Sequence, residues 1–549
     1  MEKYLLVAIN SQYIHTNLAV RYLKKYSEEY TNKNVQIYET NVNNQILQII
    51  KEIHEQEPTV VIFSTYIWNR DYVFKIIKEL RKIMPEVKLG VGGPEATYMG
   101  DDYLLKDEQV DFLIKGEGER AFVKLLEEKI TDIKGIYEEQ MSHNLDEIPF
   151  PYSQDEIMKE SKILYYESSR GCPFSCSYCL SSIDKGVRYF SIDRVKKDLN
   201  IFLKSNIKLL KFVDRTFNIN KERYLEIWKY LIENYREGIT FHFEINANIL
   251  DDESLELLKK VPKDYFQFEI GVQSINYDTM ESINRRNLLD KLEKNVREIS
   301  KNIHLHLDLI AGLPYETYEI FKKSFNYVYD LKPEMIQLGF LKILKGTNME
   351  KTSEKYGYQY IEFPPYEVLY NDFLSYKEIV RIKEVEKLLN YYYNSEKFER
   401  SLNYIVKKYY ASSFEFFEDI SSFFKMNGLL DIGHKELSLF NYFVDFAKHK
   451  DFADEYFYEY LKFDYLKNGK PGIYPQWFKS EKDSDLYDIT IKNKGYKTTR
   501  DGHKNSELEI FSFNVLREEE NGERVALFFD YRNGKVYEVD FLVEESLEI

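Results

Sequence analysis

A chain of 549 residues exceeds what one hydrophobic core can organise and predicts several domains. Its formal net charge of −16 argues against an extended grip on a phosphate backbone, which depends on clustered cations, and favours a small substrate. Only three cysteines occur, which excludes a disulfide framework and points to metal chemistry in a reducing compartment.

The amino-terminal stretch MEKYLLVAINSQYIH turns polar at Asn10, Ser11 and Gln12, too early for a signal-peptide core. No apolar run of about 18 residues follows, so a cytoplasmic protein without membrane contact is expected. Over residues 1–141, YLLVAIN (4–10), VQIYET (35–40), VVIFST (60–65), KLGVGGP (88–94) and DFLIKGEGE (111–119) read as strands with their exits. Helix-period segments such as 17–30 and 44–56 lie between them, and right-handed crossovers then give a Rossmann-like, doubly wound parallel sheet. Ligands of such sheets sit at the carboxyl ends of the strands, here at 10–12, 64–66, 92–94 and 116–119.

Residues 142–162, with Pro149 and Pro151 and little periodicity, read as a linker. A second alternating series spans 163–347: 163–171, 209–214, 240–248, 265–273, 304–312 and 334–344. Six strands, each but the last followed by a helix, predict a partial (β/α)6 barrel with its chemistry at the carboxyl-terminal mouth. Residues 348–483 are expected to be mostly helical, with Ile382, Val385, Leu388 and Leu389 at helical spacing. The basic run at 377–408 reads as a solvated helix face. Residues 484–549 are expected to contain β-structure, with LFFDY and VYEVDF joined by RNGK, where Asn533-Gly534 suits a type I′ hairpin. The fold class is therefore α/β, with a helical and small β-containing carboxyl-terminal region.

The stretch RGCPFSCSYCLSS (170–182) holds all three cysteines, Cys172, Cys176 and Cys179. The C-x3-C-x2-C spacing places three thiolates on one tight loop after a barrel strand. A [4Fe–4S] cluster held by three thiolates keeps one iron without a protein ligand. As with catalytic zinc, an incomplete shell marks a centre that must bind something else. A structural zinc site completed by a distant histidine is the alternative, although such sites normally use paired ligand spacings.

With Tyr178 just before the last cysteine, this motif resembles that of the radical S-adenosylmethionine (SAM) superfamily. The resemblance implies that SAM chelates the open iron, that its reductive cleavage yields a 5′-deoxyadenosyl radical which abstracts a substrate hydrogen, and that Tyr178 packs near the adenine. Resemblance to the coproporphyrinogen-oxidase-like branch carries Glu244, Gln273, Arg285 and Asp308 over as cofactor contacts, with Ser274 beside Gln273 and Arg286 as the alternative to Arg285. Where the superfamily often has a Gly-Gly-Glu-like segment, this chain has VDRTFN (213–218), and Asp214 is taken as the substitute. His304 and His306 share a face with Asp308 and read as filled barrel positions ahead of substrate acid–base groups. Lys342 and Lys345 are candidate anion ligands, with surface lysines as the ordinary explanation.

The Rossmann-like segment, through GVGGPEA (90–96) and GEGE (116–119), resembles the cobalamin-binding domain that precedes the barrel in a large class of these enzymes. The D-x-H-x-x-G signature of a cobalt-ligating histidine is absent, and His15 is the nearest candidate. The sequence permits cobalamin and equally permits a vestigial domain that only roofs the barrel. The whole layout is similar to that of the queuine lyases, which implies release of queuine from queuosine 5′-phosphate, a small nucleotide-like substrate, with an electron donor such as flavodoxin or ferredoxin. Cobalamin-dependent methyl transfer is the second reading. A non-catalytic electron-transfer or sensor protein is the third, disfavoured because a carrier normally completes its shell with a fourth thiolate.

Overall fold

The computed structural model describes residues 2–101, 103–158, 162–183, 186–286, 288–518 and 522–540. Two compact units emerge, one of residues 1–333 with 337–379 and one of 334–336 with 380–549.

The first unit opens with a six-stranded parallel sheet. Its central strand, Lys3–Asn10, pairs with Asn34–Asn41 on one side and Val60–Ser64 on the other, followed outward by Lys88–Gly92, Phe112–Ile114 and Gly135–Tyr137. The last of these extends the sheet beyond the five strands expected. Both faces are covered, which is why the central strand is apolar throughout and not alternating. Leu5, Val7 and Ile9 pack against helices Ile46–His54 and Arg70–Ile83, while Tyr4, Leu6 and Ala8 pack against Leu18–Tyr30 and Gly118–Glu127.

The segment read as a linker is well packed where described: Leu145, Ile148, Tyr152 and Ile157 are buried. A capping box between Ser153 and Glu156 starts a short helix there, and Glu156 also pairs with Arg21, which in turn holds Glu39. Residues 159–161 of that segment lie outside the described residues.

Six parallel strands then form an open barrel sheet in chain order: Leu164–Tyr166, Leu209–Phe212, Thr240–Ile245, Phe266–Gln273, His304–Ala311 and Met335–Phe340. One expectation changes. The run at 163–171 is not a single strand, because Ser169–Cys172 leaves the barrel to pair antiparallel with Gly186–Tyr189, and the cysteine loop joins the two. Gly171 makes that hairpin feasible: its φ is 98°, and a Cβ would lie 2.2 Å from the Gly186 carbonyl oxygen.

In the second unit, helices Glu399–Tyr409, Ser413–Met426, Glu436–His449 and Glu455–Lys467 enclose an aromatic core that includes Tyr392, Phe398, Phe416, Phe424, Phe440 and Phe443. The basic run is largely ion-paired through Arg381–Glu418, Lys397–Glu436, Arg400–Glu518 and Lys408–Asp454. Strands Ser506–Phe511, Val525–Asp530 and Lys535–Val539 form an antiparallel sheet. The expected two-residue type I′ turn is not adopted. Asp530 pairs directly with Lys535, leaving a four-residue loop in which Gly534, and not Asn533, has positive φ. The Asn533 side chain instead accepts from the Lys535 amide. Residues 541–549, including Phe541 of VYEVDF, lie outside the described residues. Among the described residues no helix is long and apolar enough to cross a membrane.

Candidate active site

The cysteine loop is anchored by backbone bonds that reach two distant segments. Ser177 N–H donates to the Ile283 carbonyl, and the Ser177 carbonyl accepts from Met349. Cys176 is buried, which raises its thiol pKa, and the Arg285 guanidinium opposes that shift. The three sulfurs do not form a group within 4.8 Å of one another. A tetrahedral zinc ion with bonds of about 2.3 Å would hold sulfurs roughly 3.8 Å apart. Three spread thiols with a compensating guanidinium and no fourth cysteine fit a [4Fe–4S] cluster with one open iron.

Cys176 and Cys179 open onto a cavity of about 860 Å³ at the barrel mouth, lined also by Glu244, Gln273, Arg285 and Asp308. Gln273 sits in a left-handed conformation (φ 68°) where the pairing with the next strand shifts register, which swings its amide across Gly271. Arg285 donates to the Gly271 carbonyl at 2.5 Å and to the Tyr178 hydroxyl at 3.4 Å. The Gln273 Oε1 and Asp308 Oδ1 atoms are buried with no hydrogen-bond partner. Unpaired buried acceptors are costly, so two of them on residues that line one cavity suit a ligand rich in donors, such as the ammonium and ribose hydroxyls of SAM.

Not every residue singled out reaches this cavity. The buried Asp214 carboxylate accepts from the Ser168 amide and hydroxyl and from the Ser169 hydroxyl. Ser274 points the other way, donating to Glu316 in the core. Arg286 lines the cavity beside Arg285. His306 contacts His304 and Gln267, and its pKa falls to about 4 because it is buried among other histidines. Lys345 forms an ion pair with Glu350, and the Lys342 backbone forms an isolated antiparallel β-bridge with Glu367.

Burial, with the nearby Glu269 carboxylate, pushes Glu244 up to about 7, and burial with the same neighbour raises Asp308 strongly. Both groups bind protons more readily folded than unfolded. Their favourable contribution is complete below the ordinary carboxylate range and is lost as pH rises through the folded value. Chemical denaturation of the ligand-free chain should therefore show stability falling between pH 4.5 and 7, with a shallower slope in Glu244→Gln. Identical slopes in the two proteins would refute the assignment.

A second cavity, of about 660 Å³, lies at the carboxyl ends of the Rossmann strands and is lined by Asn10, His15, Ser64, Trp68, Gly93 and Gly116 among others. Gly93 has φ of 100°, and a Cβ would lie 2.7 Å from the Thr65 carbonyl oxygen, so only glycine fits. Trp68 stacks on Tyr66 at 4.3 Å and offers a flat wall. His15 uses Nδ1 to bond the Tyr165 hydroxyl at 2.6 Å. A broad, mainly apolar floor with a glycine cradle fits a large planar ring system such as a corrinoid.

Arg215 and Glu244 line both cavities, so the two spaces meet at the barrel mouth. Arg170, next to the cysteine loop, ties the GEGE turn to the barrel by donating to Glu119 and Glu167, each at 2.6 Å. The sequence reading passed over Arg215, Glu269 and Arg170. Glu269 had a signal, since it belongs to the inward series Gln267, Glu269, Gly271 and Gln273; Arg215 follows the inward positions Lys211 and Val213 in the same way.

Comparison with known proteins agrees with this geometry. Residues 166–328 match the radical SAM superfamily, residues 4–126 the B12 binding domain, and residues 354–528 a protein of unknown function family (DUF4080). Residues 4–328 thus combine a B12 binding domain with a radical SAM domain, and the radical SAM domain implies a [4Fe–4S] cluster and SAM. It is 28% identical over 338 residues to the cobalamin-dependent radical SAM methyltransferase TokK of Streptomyces tokunonensis, covering 55% of this chain and 50% of that protein. It is 27% identical over 308 residues to the 2-(S-pantetheinyl)-carbapenam-3-carboxylate methyltransferase of Streptantibioticus cattleyicolor, covering 48% and 44%. The match thus spans about half the length of these relatives. Among solved structures, the cobalamin-dependent radical enzyme OxsB superposes with a TM-score of 0.58 at 16% identity over 85% of this chain and 83% of that one. The methyltransferase TsrM of Kitasatospora setae superposes at 0.52 with 14% identity over 66% and 78%. These two likenesses establish the fold. Queuine release finds no support among the named relatives, and both sequence relatives named above are methyltransferases.

Proposed function

We propose that this protein is a cobalamin-dependent radical SAM methyltransferase that methylates an unactivated carbon of a small substrate. The observation that carries this reading is the meeting of the two cavities at Arg215 and Glu244. Methyl transfer needs the corrinoid face and the hydrogen-abstracting centre to address one substrate, and a roofing domain has no need of a shared space. When bound, SAM on the reduced cluster supplies hydrogen abstraction and a corrinoid supplies methyl transfer.

In this reading Cys172, Cys176 and Cys179 hold the cluster. Gln273 and Asp308 accept from SAM, Arg285 or its neighbour Arg286 pairs with the SAM carboxylate, and Tyr178 lies by the adenine. Asp214 and Ser274 act as positioning residues, locking the first and fourth strand ends through Ser168, Ser169 and Glu316. Glu244 lies where SAM and substrate would meet, and its pKa of about 7 lets it either donate or accept a hydrogen bond there.

Anaerobic purification from cells supplied with cobalamin tests the proposal. A corrinoid bound near one per chain, with formation of 5′-deoxyadenosine on reduction in the presence of SAM, is expected. Formation of 5′-deoxyadenosine by a protein that takes up no corrinoid would leave the radical class intact and remove methyl transfer.

A further inference from the structure

The proposed cofactor contacts leave one group in the barrel unused. His242 of the third barrel strand, Glu269 of the fourth and His306 of the fifth offer ligand atoms that all lie within 4.8 Å of one another. They come from consecutive strands at inward positions, Glu269 being paired in register with His306. Two imidazoles and one carboxylate are the donors that hold zinc in hydrolytic sites and iron(II) in oxygenases, with positions left open.

One detail favours an ion over a plain hydrogen-bonded layer. His242 is buried; its Nε2 lies 3.1 Å from Glu269 Oε2, and its Nδ1 has no partner, so one ring nitrogen is left unused at a cost. The Gln267 amide nitrogen and His304 Nε2 approach His306 Nε2 at 2.5 and 3.1 Å and hold the ring in place. Lys211 is the opposing charge near Glu269 and His306. Glu244 and Asp308 offset it with two further carboxyl groups close to Glu269. Glu269 also lines the barrel cavity, so a bound ion would lie at its wall.

We propose that His242, Glu269 and His306 bind one divalent ion of the zinc and iron(II) class, separate from the cysteine cluster. The test titrates zinc into the cluster-loaded full chain after loosely held metal has been chelated, and counts zinc by mass spectrometry. About one zinc per chain is expected, lost from Glu269→Gln and His306→Gln with affinity down by at least ~10-fold. The combined Cys172→Ala, Cys176→Ala and Cys179→Ala variant should retain it. X-ray absorption at the zinc edge of the wild-type protein should show only nitrogen and oxygen ligands near ~2.0–2.2 Å. Zinc absent from the wild-type chain, sulfur in its shell, or unchanged binding in both single variants would overturn the proposal. If those variants fail to fold, the wild-type spectrum and the cysteine variant still decide it.

Discussion

Replacing any one of Cys172, Cys176 or Cys179 by alanine is expected to remove the cluster and to lower 5′-deoxyadenosine formation by at least ~100-fold, about 2.7 kcal/mol of barrier. The reason lies in the count: with three cysteines in the whole chain, no neighbouring thiol can replace a missing one. The fold should survive. Cys172 and Cys179 are partly exposed on a loop, and Cys176 gives up only a small buried sulfur, whose loop remains tied by the Ser177 backbone bonds to Ile283 and Met349. Iron content, the charge-transfer absorption of the cluster and circular dichroism separate these effects. A variant with full iron and wild-type product formation would show that the motif does not hold the cluster.

The second large effect is expected at Arg170. Its largely buried guanidinium lies between Glu119 and Glu167 and is the main positive charge that keeps Glu119 ionised against burial, with Arg188 adding a smaller pull. Arg170→Met leaves two buried carboxyls facing each other, and stripping one partner from such a group costs roughly 3–5 kcal/mol. Lysine should restore only part of the loss, because it has no counterpart of the Nε–H that gives Glu167 a second bond and no rigid planar fork. The contact joins the GEGE turn to the strand that enters the cysteine loop, so both corrinoid uptake and cluster retention should weaken together. Adding Glu119→Gln to Arg170→Met should recover part of the stability, since it removes one stranded charge. Denaturant unfolding measures this. A loss below about 1 kcal/mol in Arg170→Met would show that the network is ordinary surface pairing.

The strands of both sheets were legible because their residues repeat at short period. The third and fifth barrel strands were expected to begin at 240 and 304, and they do. The same alternation explains two residues that turned away from the cavity. Gln273 faces inward and Ser274, one position on, faces the core; likewise Lys211, Val213 and Arg215 follow one side, and Asp214 the other. A strict reading of period two would have kept Gln273 and exchanged Asp214 for Arg215. The split of 163–171 was less legible, since its cause is a glycine that must meet Gly186, fifteen residues away.

The sequence by itself determined the chemistry that the chain can hold: three clustered thiols with no substitute, a glycine-rich turn that only glycine can make, and acids and amides at strand ends. These follow from residue type and local spacing, which the covalent chain carries with it. Only the tertiary structure decided that the two cavities share Arg215 and Glu244, that Gln273 and Asp308 keep unpaired acceptors, and that three strands bring His242, Glu269 and His306 together. Such facts depend on which groups lose water to which neighbours. That is settled by packing between segments far apart in the chain, and no local pattern encodes it.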